Sequence, residues 1–249
     1  MNIHRAALLV TLLFAGRSFA QEAPETQATR PLEATAAQPP SEQPASPFVI
    51  SSGRASLTLT GYVEALYQWN FNNPAGGVTA WRGFDNRHNT VTLSNVVLGA
   101  SWQYRAMVGQ LALQVGHTPE SYYAAEPARR AAAGAGATGQ EVWKYVQQAT
   151  VGARAGAWLV EAGVFLSPVG PEAMPVRDNW SWSRSNLFYG LPFYHTGLRV
   201  THTFNPRHAL AFGVFNGWNS VVDNNVAKSV MLQYTYTPSA DVTFNAIYF

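Results

Sequence analysis

The chain has 249 residues and a formal net charge of +2, with 47% hydrophobic residues, 12% charged residues and no cysteine. Near-balanced charge without a basic stripe argues against a nucleic-acid partner. The lack of cysteine rules out thiolate metal sites and Cys nucleophiles, and it fits export through an oxidising compartment.

The first twenty residues read as an export signal. His4 and Arg5 begin it, an apolar run spans Ala6 to Ala15, and Ser18 and Ala20 put small residues where a signal peptidase cuts. The run is shorter than the roughly twenty residues a membrane-crossing helix needs. Cleavage is therefore expected after Ala20. Residues 21–52 carry Pro24, Pro31, Pro39, Pro40, Pro44 and Pro47 among Ala, Gln, Glu and Thr. Such a stretch buries too little apolar area to offset its ordering entropy and reads as a disordered periplasmic tether.

From residue 53 to 249 apolar and polar side chains alternate in segments of membrane-strand length. Nine strands are expected, at about 56–71, 90–104, 106–117, 144–154, 157–166, 193–204, 208–217, 227–237 and 241–249. In the first, Leu57, Leu59, Val63, Ala65, Tyr67, Trp69 and Phe71 share one face, and Thr58, Thr60, Tyr62, Glu64, Gln68 and Asn70 the other. The second strand changes phase between Val91/Leu93 and Val96/Leu98, which predicts a bulge near Ser94 or Asn95. Tight turns are expected at 104–106, 154–157, 205–208 and 237–241, with long loops at about 72–89, 118–143, 167–192 and 218–226. The pattern specifies an all-β fold: a transmembrane, antiparallel, up-and-down β-barrel with short periplasmic turns and long outer loops. An odd strand number would leave an unpaired edge in lipid, so the chain reads as a C-terminally incomplete part of a larger barrel.

Strand phase also nominates functional residues. Glu64, Arg154, Glu161, His195 and Arg199 fall on the polar phase as pore-lining candidates, together with Lys144 and Gln148, while Tyr194, Leu198, Val200 and Phe204 fall on the lipid phase. Arginine or lysine at mid-membrane on the lipid face costs about 2–4 kcal/mol, which places Arg199 inward. The third long loop bears Pro168, Pro171 and Pro175 with Glu172, Arg177, Asp178 and Arg184. It is a candidate constriction, with Trp180 and Trp182 as possible wedges against the inner wall or as parts of an external cap. The second loop, from Glu126 to Gln140, reads as flexible surface. Asp223-Asn224-Asn225 reads as a tight turn rather than a cation cage, and the six histidines lack metal-site spacing. No metal or cofactor is expected.

Three stretches carry a resemblance. They are Phe165 to Glu172, the run from Asn179 to Phe188 followed by Pro192 to Arg199, and Gly213 to Trp218 with Asp223-Asn224-Asn225. Together they resemble the OmpL-like β-barrel porins of Gram-negative bacteria, over about residues 56–249. The resemblance implies a porin-like protein of the outer membrane and names no substrate.

The favoured function is passive diffusion of small hydrophilic solutes or ions. The alternative is a non-conducting barrel serving as adhesin or structural anchor. The expected partners are outer-membrane lipid, the solutes and, as an open alternative, further copies of the chain. An enzyme is not expected: His195 lies near Ser183 and Ser185 in sequence, but no strained nucleophile turn and no orienting acid accompany them.

Overall fold

The computed structural model describes residues 8–14 (backbone only), 48–126, 139–223 and 225–249. The expected tether up to residue 47 and the stretch 127–138 of the second loop lie outside the described residues. Eleven strands form one antiparallel sheet: β1 (Leu8–Phe14), β2 (Phe48–Ser52), β3 (Ala55–Gln68), β4 (Thr90–Tyr104), β5 (Met107–Val115), β6 (Val146–Ala155), β7 (Trp158–Leu166), β8 (Tyr194–Asn205), β9 (His208–Phe215), β10 (Ser229–Ser239) and β11 (Val242–Tyr248). From β2 to β11 every strand pairs with its sequence neighbour, and β1 lies along the outer side of β11. β1 falls within the segment read as an export signal. The order ends at β1 and β2, which do not pair, so the sheet is not closed.

Nine of these strands coincide with the expected ones. The addition within residues 21–249 is β2, whose Phe48-Val49-Ile50 run lies in the segment read as tether. Its pairing with Ser56, Leu57, Thr58 and Leu59 corrects that boundary. Gly53, at φ 57°, supplies the left-handed residue that this hairpin needs.

The turns alternate as the sequence requires. Tyr104 faces Met107, Ala155 faces Trp158, Asn205 faces His208 and Ser239 faces Val242, each across a two-residue turn. At Asn205 the side-chain carbonyl accepts the Arg207 N–H at 2.9 Å, a local bond that locks the turn. The long loops all leave the opposite end. They carry short helical turns, among them α1 (His117–Tyr122), α2 (Gln140–Trp143) and α3 (Asn186–Tyr189).

Register separates the two faces. Val160 pairs with Val200, Val200 with Phe212, Phe212 with Leu232 and Leu232 with Tyr248, giving an apolar row across β7 to β11. Except for Val200, the side chains of this row are exposed. A soluble monomer rarely exposes so continuous an apolar band. One residue along, Glu161 pairs with Arg199, and Gln233 and Thr235 hydrogen-bond Asn245. The phase change in β4 is a bulge: Glu64 faces Asn95 and Ala65 faces Leu93, leaving Ser94 as the extra residue.

Two buried clusters depart from simple alternation. On the polar face, Phe165, Ala211, Phe215, Met231 and Ile247 form an apolar core with Val169 and Phe249 against it. The second cluster joins Phe84, Tyr122, Tyr123, Met174, Phe188 and Val221 from the loops to Val164 and Tyr194. Tyr194 was expected to face lipid and is instead fully buried. The loops fold back over the ends of β7 and β8, and period-two spacing cannot register such a cover.

Gly163 sits at φ 137°, and a Cβ added there would lie 2.0 Å from the Ala149 carbonyl oxygen, which is backbone and cannot yield. Gly163→Ala should therefore lose about 2 kcal/mol or more, combining left-handed strain with backbone displacement. A lowered urea midpoint of the refolded protein would show it, and an unchanged midpoint would contradict it.

Candidate functional site

The polar face divides into two zones. Near the tight turns it is open. Ser56, Thr58, Gln103, Gln110, Thr150, Arg154 and Glu161 line a cavity of about 290 Å³. At its upper side the Arg199 guanidinium donates to Glu161 Oε2 at 2.8 Å and covers the Phe165 ring at 4.6 Å. These two charges neutralise each other between adjacent strands instead of facing across a space. His195 departs from the expectation of a water-facing group. It is fully buried, its ring stacks on Phe249 at 4.6 Å, and its nitrogens meet Ser167 Oγ at 3.1 Å and the Gly217 carbonyl at 3.2 Å. The apolar core on β7 to β11 encloses it. Lys144, also expected inward on a strand, caps α2 and pairs with Glu141 at 3.1 Å.

Toward the long loops the face is covered by the third loop. Starting from the end of β7, this loop reaches β3, where Val176 N–H donates to Glu64 Oε1 at 2.7 Å and Arg177 lies 4.4 Å over the Tyr62 ring. Met174 Sδ takes a long contact of 3.7 Å from Gln147 Nε2. That amide also donates to Tyr62 OH at 2.9 Å and Gln114 Oε1 at 3.3 Å. A loop segment thus lies across β3 and β6 on the polar side. Its charged residues divide in role. Arg184 is buried, bonds the carbonyls of Met174 and Trp182, and lies 5.2 Å over Phe84. Burial pushes its pKa down, opposed by the carboxylates around it, Glu64 foremost. Glu172 accepts from the N–H and hydroxyl of Ser185. Asp178 and Arg177 are exposed and pair at 3.7 Å. Trp180 is 83% exposed and Trp182 39%, so Met174, Val176 and Arg184 anchor the loop and the tryptophans do not.

Above the loop a latch ties the remaining loops together. Glu126 is buried and accepts from Val221 N and Val222 N at 3.0 and 3.1 Å and from Tyr194 OH at 2.5 Å. It corrects the reading of the second loop as flexible surface from Glu126 onward. Tyr122 and Tyr123 stack around Tyr194 and donate to the Phe193 and Val146 carbonyls at 2.5 and 2.6 Å. Burial pushes both hydroxyls well up, which keeps them protonated as donors. Among the described residues no group of three or more His, Asp or Glu side chains is placed to hold a metal ion. Sequence reasoning missed Glu126, Gln114 and Gln147. The two glutamines carried a signal as polar residues at the ends of apolar strands, whereas Glu126 carried none.

Neither a curated protein nor a solved structure matches this chain. The profile of the family described as "Putative beta-barrel porin-2, OmpL-like" matches residues 56–249, from the start of β3 to the final residue. An antiparallel up-and-down sheet with an apolar outer row, a polar inner face and a loop folded over that face accords with the match, and the chain belongs to the OmpL-like β-barrel porin family.

Proposed function

We propose that this chain forms an outer-membrane channel for passive diffusion of small hydrophilic solutes or ions, narrowed by its third long loop. The observation that carries the reading is the bond from Val176 to Glu64, which brings a loop leaving β7 onto the polar side of β3. Export by a signal cleaved after Ala20, with lipid against the row from Val160 to Tyr248, completes the reading. Arg154 and Glu161 line the wider zone, and with Arg199 paired to Glu161 they set a weak ion preference. Association of several copies is compatible with it.

A second reading has its own support. The loops meet in one buried aromatic cluster joined by Glu126, a rigid surface suited to an anchor or adhesin. Planar-bilayer recording of the refolded protein separates the two. Stepwise currents are expected in salt, and silence from a correctly folded barrel would discard the channel in favour of the anchor.

A further inference from the structure

Beside the third loop, the upper ends of β3 and β4 carry an unusual set of oxygens. Glu64 Oε2, Gln68 Oε1, Thr92 Oγ1, Ser94 Oγ, Asn95 Oδ1 and Thr118 Oγ1 are shielded from solvent and have no hydrogen-bond partner among the described residues. Glu64, Thr92, Ser94, Asn95 and Thr118 are each more than nine-tenths buried. Buried polar atoms left unpaired are costly and uncommon, and so many along two paired strands call for an explanation.

Register puts them side by side. Glu64 faces Asn95, Leu66 faces Thr92 and Gln68 faces Thr90, so Glu64, Gln68, Asn95 and Thr92 share one face. Ser94 is the extra residue of the bulge between them. α1 packs against β4 and brings Thr118. Its approach is tight: a Cβ added to Gly116 would lie 2.6 Å from the Ser94 carbonyl oxygen. Two of the orphaned atoms, the amide oxygens of Gln68 and Asn95, can only accept. Arg184 and Arg177 act electrostatically on Glu64, yet the terminal nitrogens of the first bond loop carbonyls while its Nε has no partner among the described residues, and the second lies on the Tyr62 ring.

We infer that the oxygens grouped about the bulge, those of Glu64, Thr92, Ser94, Asn95 and Thr118, form a binding site for a hard cation of the calcium class. Calcium takes six to eight oxygens, carboxylate and neutral alike, in flexible geometry, and affinity rises with the number of charged ligands. A single carboxylate places the site in the weak range, with half-saturation on the order of 10⁻⁴–10⁻³ M. The bound ion would join β3, β4 and the start of the second loop, and through Glu64 it would reach Val176 of the third.

The test is thermal unfolding of the refolded full chain in lipopolysaccharide-free detergent after chelation. Calcium chloride is titrated against sodium and magnesium chlorides at matched ionic strength. A saturable rise in the midpoint is expected with calcium, lost in Glu64→Gln. In Asn95→Asp, which adds a second carboxylate, half-saturation should fall by roughly tenfold. No calcium effect beyond that of sodium would overturn the site. So would a calcium effect of equal size and midpoint in both variants, since the ion would then be bound elsewhere. If Glu64→Gln does not fold, Asn95→Asp decides alone: destabilisation at every calcium concentration would mean that the oxygens hold only water.

Discussion

Replacing Glu126 with alanine should release the loops as a unit, at a cost of about 3 kcal/mol or more, given roughly 1–3 kcal/mol for each buried donor left without a partner. Two backbone donors, Val221 N and Val222 N, lose their acceptor, and Tyr194 OH keeps only the Asn219 carbonyl at 2.9 Å. Those groups belong to the fourth loop and to β8, while Glu126 belongs to the second, so one truncation severs contacts nearly a hundred residues apart in sequence. Amide hydrogen exchange at Val221 and Val222 should accelerate by about a hundredfold, since 1.4 kcal/mol corresponds to tenfold. Exchange unchanged from wild type would mean that the aromatic cluster alone holds the loops. The barrel strands should keep their protection, because backbone ladders hold them independently of the latch.

Arg184 and Arg199 should respond differently to loss of charge, although strand phase and loop composition nominate both as selectivity residues. Arg184→Ala removes the donor to the Met174 and Trp182 carbonyls and the cation over Phe84. The Met174 carbonyl, left bare where it is buried, costs about 1–3 kcal/mol, enough to loosen the segment bonded to Glu64. The expected result is a several-fold rise in single-channel conductance. Arg199→Gln leaves that loop in place and strips Glu161 of its counter-charge. Its expected result is a reversal potential shifted toward cation preference at nearly unchanged conductance. Conductance unaffected by Arg184→Ala, with the loop demonstrably open to protease, would remove the third loop from the permeation path.

What could be read in advance followed the length scale of the physical signal. Turn residues such as Asn205-Pro206, and period-two alternation, act between near neighbours, so strand positions, turn and loop alternation and the bulge at Ser94 were legible, although Thr237-Pro238 lies within β10 just ahead of its turn. β2 was not. Phe48-Val49-Ile50 does not alternate and follows a proline-rich stretch, and its strand character comes from pairing with β3. The burial of His195 and Tyr194 was equally hidden, because alternation assigns a face without saying what covers it. Tyr194 is covered by residues from the second and fourth loops, His195 by Phe215 and Phe249. Among the constriction candidates of the third loop, only the fold distinguishes the buried Arg184 from the exposed Arg177 and Asp178.

The extra residue at Ser94 has a consequence for how such a sequence can drift. Before it, Thr92 is buried and Val91 and Leu93 are exposed; after it, Val97 is buried and Leu98 exposed. Removing Ser94 alone would leave Leu93 opposite Ala65 and Asn95 opposite Glu64, and would restore plain alternation without turning either half of β4 over. Loss of one codon elsewhere in the strand, with the bulge kept, would instead send the residues on one side of it to the wrong face. Indels in this lineage are therefore expected to settle in the long loops or at the bulge and to spare the rest of β4.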